Sequence, residues 1–102
     1  MTFRIDHERT FTRTIEPVGG GSFDAEFRVL PDEQFEEVTG AGADNEKAAL
    51  RKILKSVGGV VGGGEELPSS PEVIEQLIGY LDIRLALFAA YTRGVREARA
   101  GN

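Results

Sequence analysis

Cysteine is missing from this 102-residue chain, and so is tryptophan; histidine and methionine occur once each. Without cysteine there are no disulfides and no thiolate metal site. The single imidazole, His7, has no second histidine with which to share a metal ion. Nucleophilic catalysis needs a hydroxyl or thiol beside a positioned base. The serines fall in turn and cap sequences, and His7 is remote in sequence from all of them. Glu36–Glu37 and Glu65–Glu66 are adjacent carboxylates, but neighbours in sequence do not face each other on a helix, so they read as solvated charge. Long apolar runs are missing too. Residues 83–91, interrupted only by Arg84, fall far short of the ~20 residues a membrane span requires. The N-terminus lacks the basic-then-apolar order of a signal peptide. The expectation is a cytoplasmic non-enzyme with no catalytic, cofactor-binding or metal-ligating residue and no membrane contact.

What is present describes one domain. A chain of this length has no room for two independent cores, and 40% hydrophobic with 28% charged residues is an ordinary globular balance. The net charge of −5 is unevenly placed. Residues 1–23 are neutral, residues 24–83 hold five Lys/Arg against thirteen Asp/Glu, and residues 84–102 hold four Arg against one Glu. An acidic middle argues against nucleic acid, which needs clustered positive charge. The arginines of the tail, Arg93, Arg96 and Arg99, complement the negative end of a last helix.

Along the chain, residues 1–10 alternate weakly and read as a loose arm or a short strand. Residues 11–16 alternate threonine with Phe11, Arg13 and Ile15, and residues 23–29 alternate strictly, apolar on odd positions and charged or polar on even ones. Both patterns are those of half-buried strands. Between them lies Pro17-Val18-Gly19-Gly20-Gly21-Ser22, whose glycines accept positive φ. The segment 11–30 is therefore an expected antiparallel hairpin with Phe11, Ile15, Phe23, Phe27 and Val29 inside. Two strands alone are marginal, so helices must cover that face or a third strand must join. Helices are expected over 31–57: a short acidic one suggested by Asp32, Glu33, Phe35 and Val38 and stopped by Gly40, then one from Asp44 or Asn45 to about Val57. In the second, Leu50, Ile53, Leu54 and Val57 form the apolar stripe and Gly58 is the stop. Residues 58–66 form a glycine-rich turn around a brief Val60–Val61 strand. It lacks the Lys-Ser/Thr pair of a phosphate loop and the glycine spacing of a dinucleotide site.

Residues 70–98 read as C-terminal helices. Ser70 can cap, Pro71 suits the first helical position, and Glu72 and Glu75 lie near the positive end of the helix dipole. Val73, Ile74, Leu77, Ile78 and Leu81 form one stripe; Gly79 suggests a break and Asp82 a second N-cap. The fold expected is thus α+β: an N-terminal antiparallel β-hairpin packed on three to four helices, the longest C-terminal. Phe27, Leu50, Leu54, Leu77, Leu81 and Phe88 are the expected core. The helix over 83–91 is apolar nearly all round, which requires burial in its own domain or against another chain. Leu81, Leu85, Phe88 and Tyr91 have the helical-turn spacing of anchors for a partner helix, with Arg93, Arg96 and Arg99 as charged rim. Tyr91 is the best single candidate, since its ring can bury while its hydroxyl stays hydrated. These seven residues are the candidate partner-binding set, for a client or for a second copy of the chain. The same apolar residues equally suit a core under the hairpin.

Several stretches resemble one family. Phe-Asp-Ala-Glu-Phe-Arg-Val-Leu (23–30) followed by Asp-Glu-Gln-Phe-Glu-Glu (32–37) resembles the opening of tailed-phage tail assembly chaperones. So do Leu54-Lys55-Ser56-Val57-Gly58-Gly59-Val60, the glycine-rich turn, Glu66-Leu67-Pro68-Ser69-Ser70-Pro71-Glu72, and the apolar helix ending in Ala89-Ala90-Tyr91. The likeness spans about residues 10–102, with one departure: family members commonly carry a tryptophan where Gly59 stands. The resemblance implies a phage or prophage protein of the host cytoplasm, absent from the mature virion, and the shorter of two forms that such genes often make by frameshifting. Its implied partners are the tape measure protein, kept soluble during long-tail assembly, and the tail-tube protein. Self-association is compatible with it. The alternatives are a structural tail or head–tail joining subunit retained in the particle, and an unrelated small oligomeric regulator. The acidic balance and the helices after a single hairpin disfavour a strand-rich tube subunit.

Overall fold

The computed structural model describes residues 2–31, 33–34 and 42–101, with side chains as far as Glu97. It is an α+β fold whose N-terminal hairpin is β1 (Thr10–Ile15) and β2 (Phe23–Arg28), paired antiparallel from Thr10↔Arg28 to Ile15↔Phe23. Gly20 and Gly21 in the connecting turn have φ of 105° and 78°, which explains why glycine is needed there. The alternation reads out as expected: Ile15, Phe23, Ala25 and Phe27 are buried, while Phe11 and Val29 are half-buried.

A third strand joins. Helix α1 (Ala43–Ile53) passes directly into β3 (Leu54–Gly58), which pairs antiparallel with the free edge of β2 and makes β2 the central strand. The helix expected to reach Val57 therefore ends four residues early, with Leu54 already extended at φ −89°, ψ 114°. The reason is a β-bulge. Glu26 faces Ser56 and Phe27 faces Leu54, so Lys55 is an extra residue on β3. The bulge lets Leu54 and Val57, three apart, both point into the core, a spacing that imitates a helix. Ladder bonds to an otherwise open strand edge decide between the two structures.

The glycine-rich turn is a small hairpin of β4 (Val61–Gly62) and β5 (Glu65–Glu66). Its two central residues, Gly63 and Gly64, have φ of 61° and 83°, the signs a tight two-residue hairpin turn demands. Ser69 then closes the β3 edge, its Oγ accepting the Val57 N–H at 2.9 Å. Helix α2 (Pro71–Ile78) starts as its sequence announces, with Pro71 in the first turn and Ser70 Oγ accepting the Val73 N–H at 3.3 Å. Helix α3 (Leu81–Gly101) is the longest. Asp82 is not its cap: the helix begins one residue earlier, with the Arg84 N–H donating to the Tyr80 carbonyl at 3.0 Å. Of the acidic helix expected between Asp32 and Val38, Glu33 and Gln34 are helical, and the rest lies outside the described residues.

The core lies between the inner face of the sheet and the helices. It joins Ile15, Phe23, Ala25 and Phe27 to Leu50, Ile53, Leu54 and Val57 and to Val73, Ile78, Leu87 and Tyr91. Phe27, Leu50 and Leu54 are buried as expected; Leu77 and Phe88 are only half-buried, and Leu81 is 56% exposed. The break at Gly79–Tyr80 resets the helical phase. One continuous helix would carry the Ile74–Leu77 stripe through Leu81, whereas here Ile78 ends the inner side of α2 and Leu87 and Tyr91 take over on α3.

Candidate interaction surface

Helix α3 has two faces of different character. The inner one carries Arg84, Leu87, Tyr91 and Gly94, all buried. Leu87 is fully enclosed. Tyr91 lies against Phe11 and Phe27, ring centroids 5.8 and 5.5 Å away, and its hydroxyl accepts the Leu30 N–H at 3.4 Å. Tyr91 is therefore core and not the partner anchor its sequence position suggested. The expected set Leu81, Leu85, Phe88 and Tyr91 fails as one stripe for a geometric reason. Ten residues at ~100° each end ~80° away from the starting direction, so the set spirals from solvent into the core.

Arg84 is the residue that sequence reasoning missed. Only 7% exposed, it donates from Nε to Glu46 Oε1 at 2.7 Å and from Nη1 to the Ile78 carbonyl at 3.0 Å. One guanidinium thus joins the first turn of α1, the last turn of α2 and the first turn of α3. A buried charge is tolerated when it is paired and hydrogen-bonded, as here.

The outer face of α3 carries Leu81, Leu85, Ala89, Thr92 and Arg96, with Arg93 at one flank, all exposed. Leu81 and Leu85 are each 56% exposed and Val18, on the β1–β2 turn, 94%. With Glu16, Asp82 and Ala86 these three line an open groove of ≈ 580 Å³ at the N-terminal end of α3. Asp82 holds the turn in place, its Oδ2 accepting the Gly19 N–H at 3.3 Å. At the other end of the same face, no carboxylate of the described residues lies within ion-pair reach of Arg93 or Arg96. Glu97 is instead 3.7 Å from Arg13. The outer face is thus apolar and acidic at one end, basic at the other. Of the seven residues named from sequence, Leu81, Leu85, Arg93 and Arg96 share this face. Phe88 sits half-buried at its margin, Tyr91 is inside, and the Arg99 side chain lies outside the described residues. Val18 was not legible as part of the surface, because it belongs to a turn and not to the helical pattern.

A second concavity of ≈ 490 Å³ runs between the β4–β5 hairpin and α2, lined by Val60, Val61, Leu67, Leu77 and Tyr80 among others. Glu75 at its edge is held in a bidentate pair by Arg51, both bonds 2.7 Å, which lowers its pKa. On the outer side of the sheet, Glu8 pairs with Lys55 at 2.8 Å and Arg28 at 3.3 Å, and its pKa is lowered by the bond to Lys55 first. These are ion pairs that fix the arm and the helices. Among the described residues no three His, Asp or Glu side chains converge as metal ligands, and no helix is long and apolar enough to cross a membrane. Compared with protein-family models, curated proteins and solved structures, the chain matches none.

Proposed function

We propose that the chain is a non-enzymatic binding protein that keeps an aggregation-prone helical client soluble, acting as a phage or prophage tail assembly chaperone whose client is the tape measure protein. The sequence resemblance over residues 10–102 names the family, and the outer face of α3 is the observation that carries the reading. Monomeric proteins seldom leave neighbouring large apolar side chains uncovered without a partner for them. Leu81, Leu85 and Val18 are uncovered together, and Arg93 and Arg96 extend the same face as a charged rim. An amphipathic client helix laid along α3 would place apolar anchors on the leucines and acidic residues at the arginines, as helix-in-groove recognition requires. The tail-tube protein would meet the client later, at polymerisation.

The test is co-expression of the tape measure protein with wild type, with Leu81→Ser/Leu85→Ser, and with Arg93→Ser/Arg96→Ser. Both variants are expected to keep the wild-type circular dichroism spectrum, because their side chains face water, yet to leave the client in the insoluble fraction. Variants that hold the client as well as wild type would remove α3 from the binding surface. Mass spectrometry of purified particles separates this reading from a structural subunit, which would remain in the virion.

A further inference from the structure

The outer face of α3 is polar in the sense of a bar magnet, and the order of its charges is self-complementary. Asp82 and Arg96 each stand seven residues from Ala89, one toward either end of the helix. Seven residues are two turns, so all three lie on one stripe, with Asp82 and Arg96 each ~10.5 Å along the axis from Ala89. That stripe lies on the side opposite Leu87 and Tyr91. Leu85 and Thr92 flank Ala89. The Thr92 hydroxyl is already bonded to the Phe88 and Ala89 carbonyls at 3.1 and 3.2 Å, so covering it strands no polar group. Ala89, small and exposed, lets another helix approach closely.

We propose that a second copy of this chain covers this face, α3 packing antiparallel on α3 about a two-fold axis at Ala89. The axis sets Asp82 of each copy beside Arg96 of the other, and brings the Leu81–Leu85–Val18 groove over the Thr92–Arg93 end of its mate. A two-fold interface requires a surface that complements itself, and acidic-to-basic order along one helix supplies that only in the antiparallel sense; a parallel pair would set like charges together. The inference rests on the reading of α3 as the interaction face and adds its regulation. The pair is the resting form, and a client helix must displace the second copy.

The test uses the chain alone, so its failure leaves the co-expression result standing and the reverse also holds. Sedimentation equilibrium at ~100 µM should give twice the 11.1 kDa chain mass, since a dimer with a Kd of ~10 µM is mostly formed there. Ala89→Arg, a good helix former at an exposed site, should stay folded and run as a monomer. Arg96→Asp should weaken association about tenfold, because the reversal sets two like-charge contacts in the pair, and the conservative Arg96→Lys should stay within about threefold of wild type. With no native cysteine, Ala89→Cys should cross-link to its own mate under mild oxidation. A wild-type chain that sediments at the monomer mass overturns the proposal. So does either Ala89→Arg or Arg96→Asp associating like wild type.

Discussion

Leu85 and Leu87 are two residues apart on α3; one is 56% exposed and the other fully enclosed. The same contrast runs the length of the helix. The inner face ends in Gly94, placed against the ring of Phe11, and the outer face in Arg96, in water. Residue type does not separate the two faces, since each carries leucine and arginine. What separates them is phase, set where the chain breaks at Gly79–Tyr80 and starts a new helix at Leu81. On one face an apolar side chain is structural, and on the other it is available.

The largest effect that would sharpen this contrast comes from paired truncations. Leu87→Ala removes a fully enclosed side chain and should destabilise by about 3 kcal/mol. At ~1 µM chain, below the ~10 µM Kd of the pair, Leu85→Ala should change stability by less than ~0.5 kcal/mol, as surface substitutions do. Urea melts of the two variants decide, and comparable losses would mean that the outer face is buried in the form measured. Second in size is Gly94→Ala. Helix propensity alone would stabilise it by about 0.5–1 kcal/mol. A Cβ there would meet Phe11 Cδ2 and Cζ at 3.0 Å and Cε2 closer still, against a ring braced by Phe27 and Tyr91. The expected outcome is a net loss of about 1–2 kcal/mol by overpacking, and a rise in melting temperature would refute the close fit.

The smallest effect concerns charge. Among the described residues, the carboxylates with lowered pKa are Glu8, held down chiefly by Lys55, Glu26, by Thr10 and Ser56, and Glu75, by Arg51. None of them is on α3. A carboxylate whose folded pKa is depressed stabilises the fold above its unfolded value and loses that contribution as pH falls through the folded one. Stability should therefore decline as pH drops below the ordinary value of 4.5. Because Glu8 and Glu75 are exposed and Glu26 is only half-buried, the decline should be shallow. Lys55→Met should flatten it, and Leu85→Ser should leave it unchanged, which pH-dependent urea melts would register.

Much of this was legible in the sequence. Strict alternation over 23–29 gave the central strand its inner face, and Ser70-Pro71 marked the start of α2. β3 was not legible as a strand, because a bulge at Lys55 gave its two buried residues a helical spacing. On the surface, Leu81 and Leu85 do share one exposed face, although Leu81 was also expected in the core, while Tyr91 was misplaced because a stripe extended over ten residues drifts off its face. Arg84 was passed over because a lone arginine in an apolar run gives no sign of its partners, which lie on two other helices.

The central position of β2 also makes one of its two pairings far more local than the other. Its bond with β1 is local: Ile15 meets Phe23 across a seven-residue turn. Its bond with β3 joins Phe27 to Leu54, twenty-seven positions away and beyond a whole helix. Closing the longer loop costs about 1 kcal/mol more in chain entropy, and short hairpins form within about 1–10 µs. Two strands alone are marginal, so the hairpin, quick to form, persists only once α1 covers its apolar face and β3 its bare edge. Residues 54–58 therefore do two things at once: they complete the sheet, and they occupy the edge at which two copies would otherwise pair.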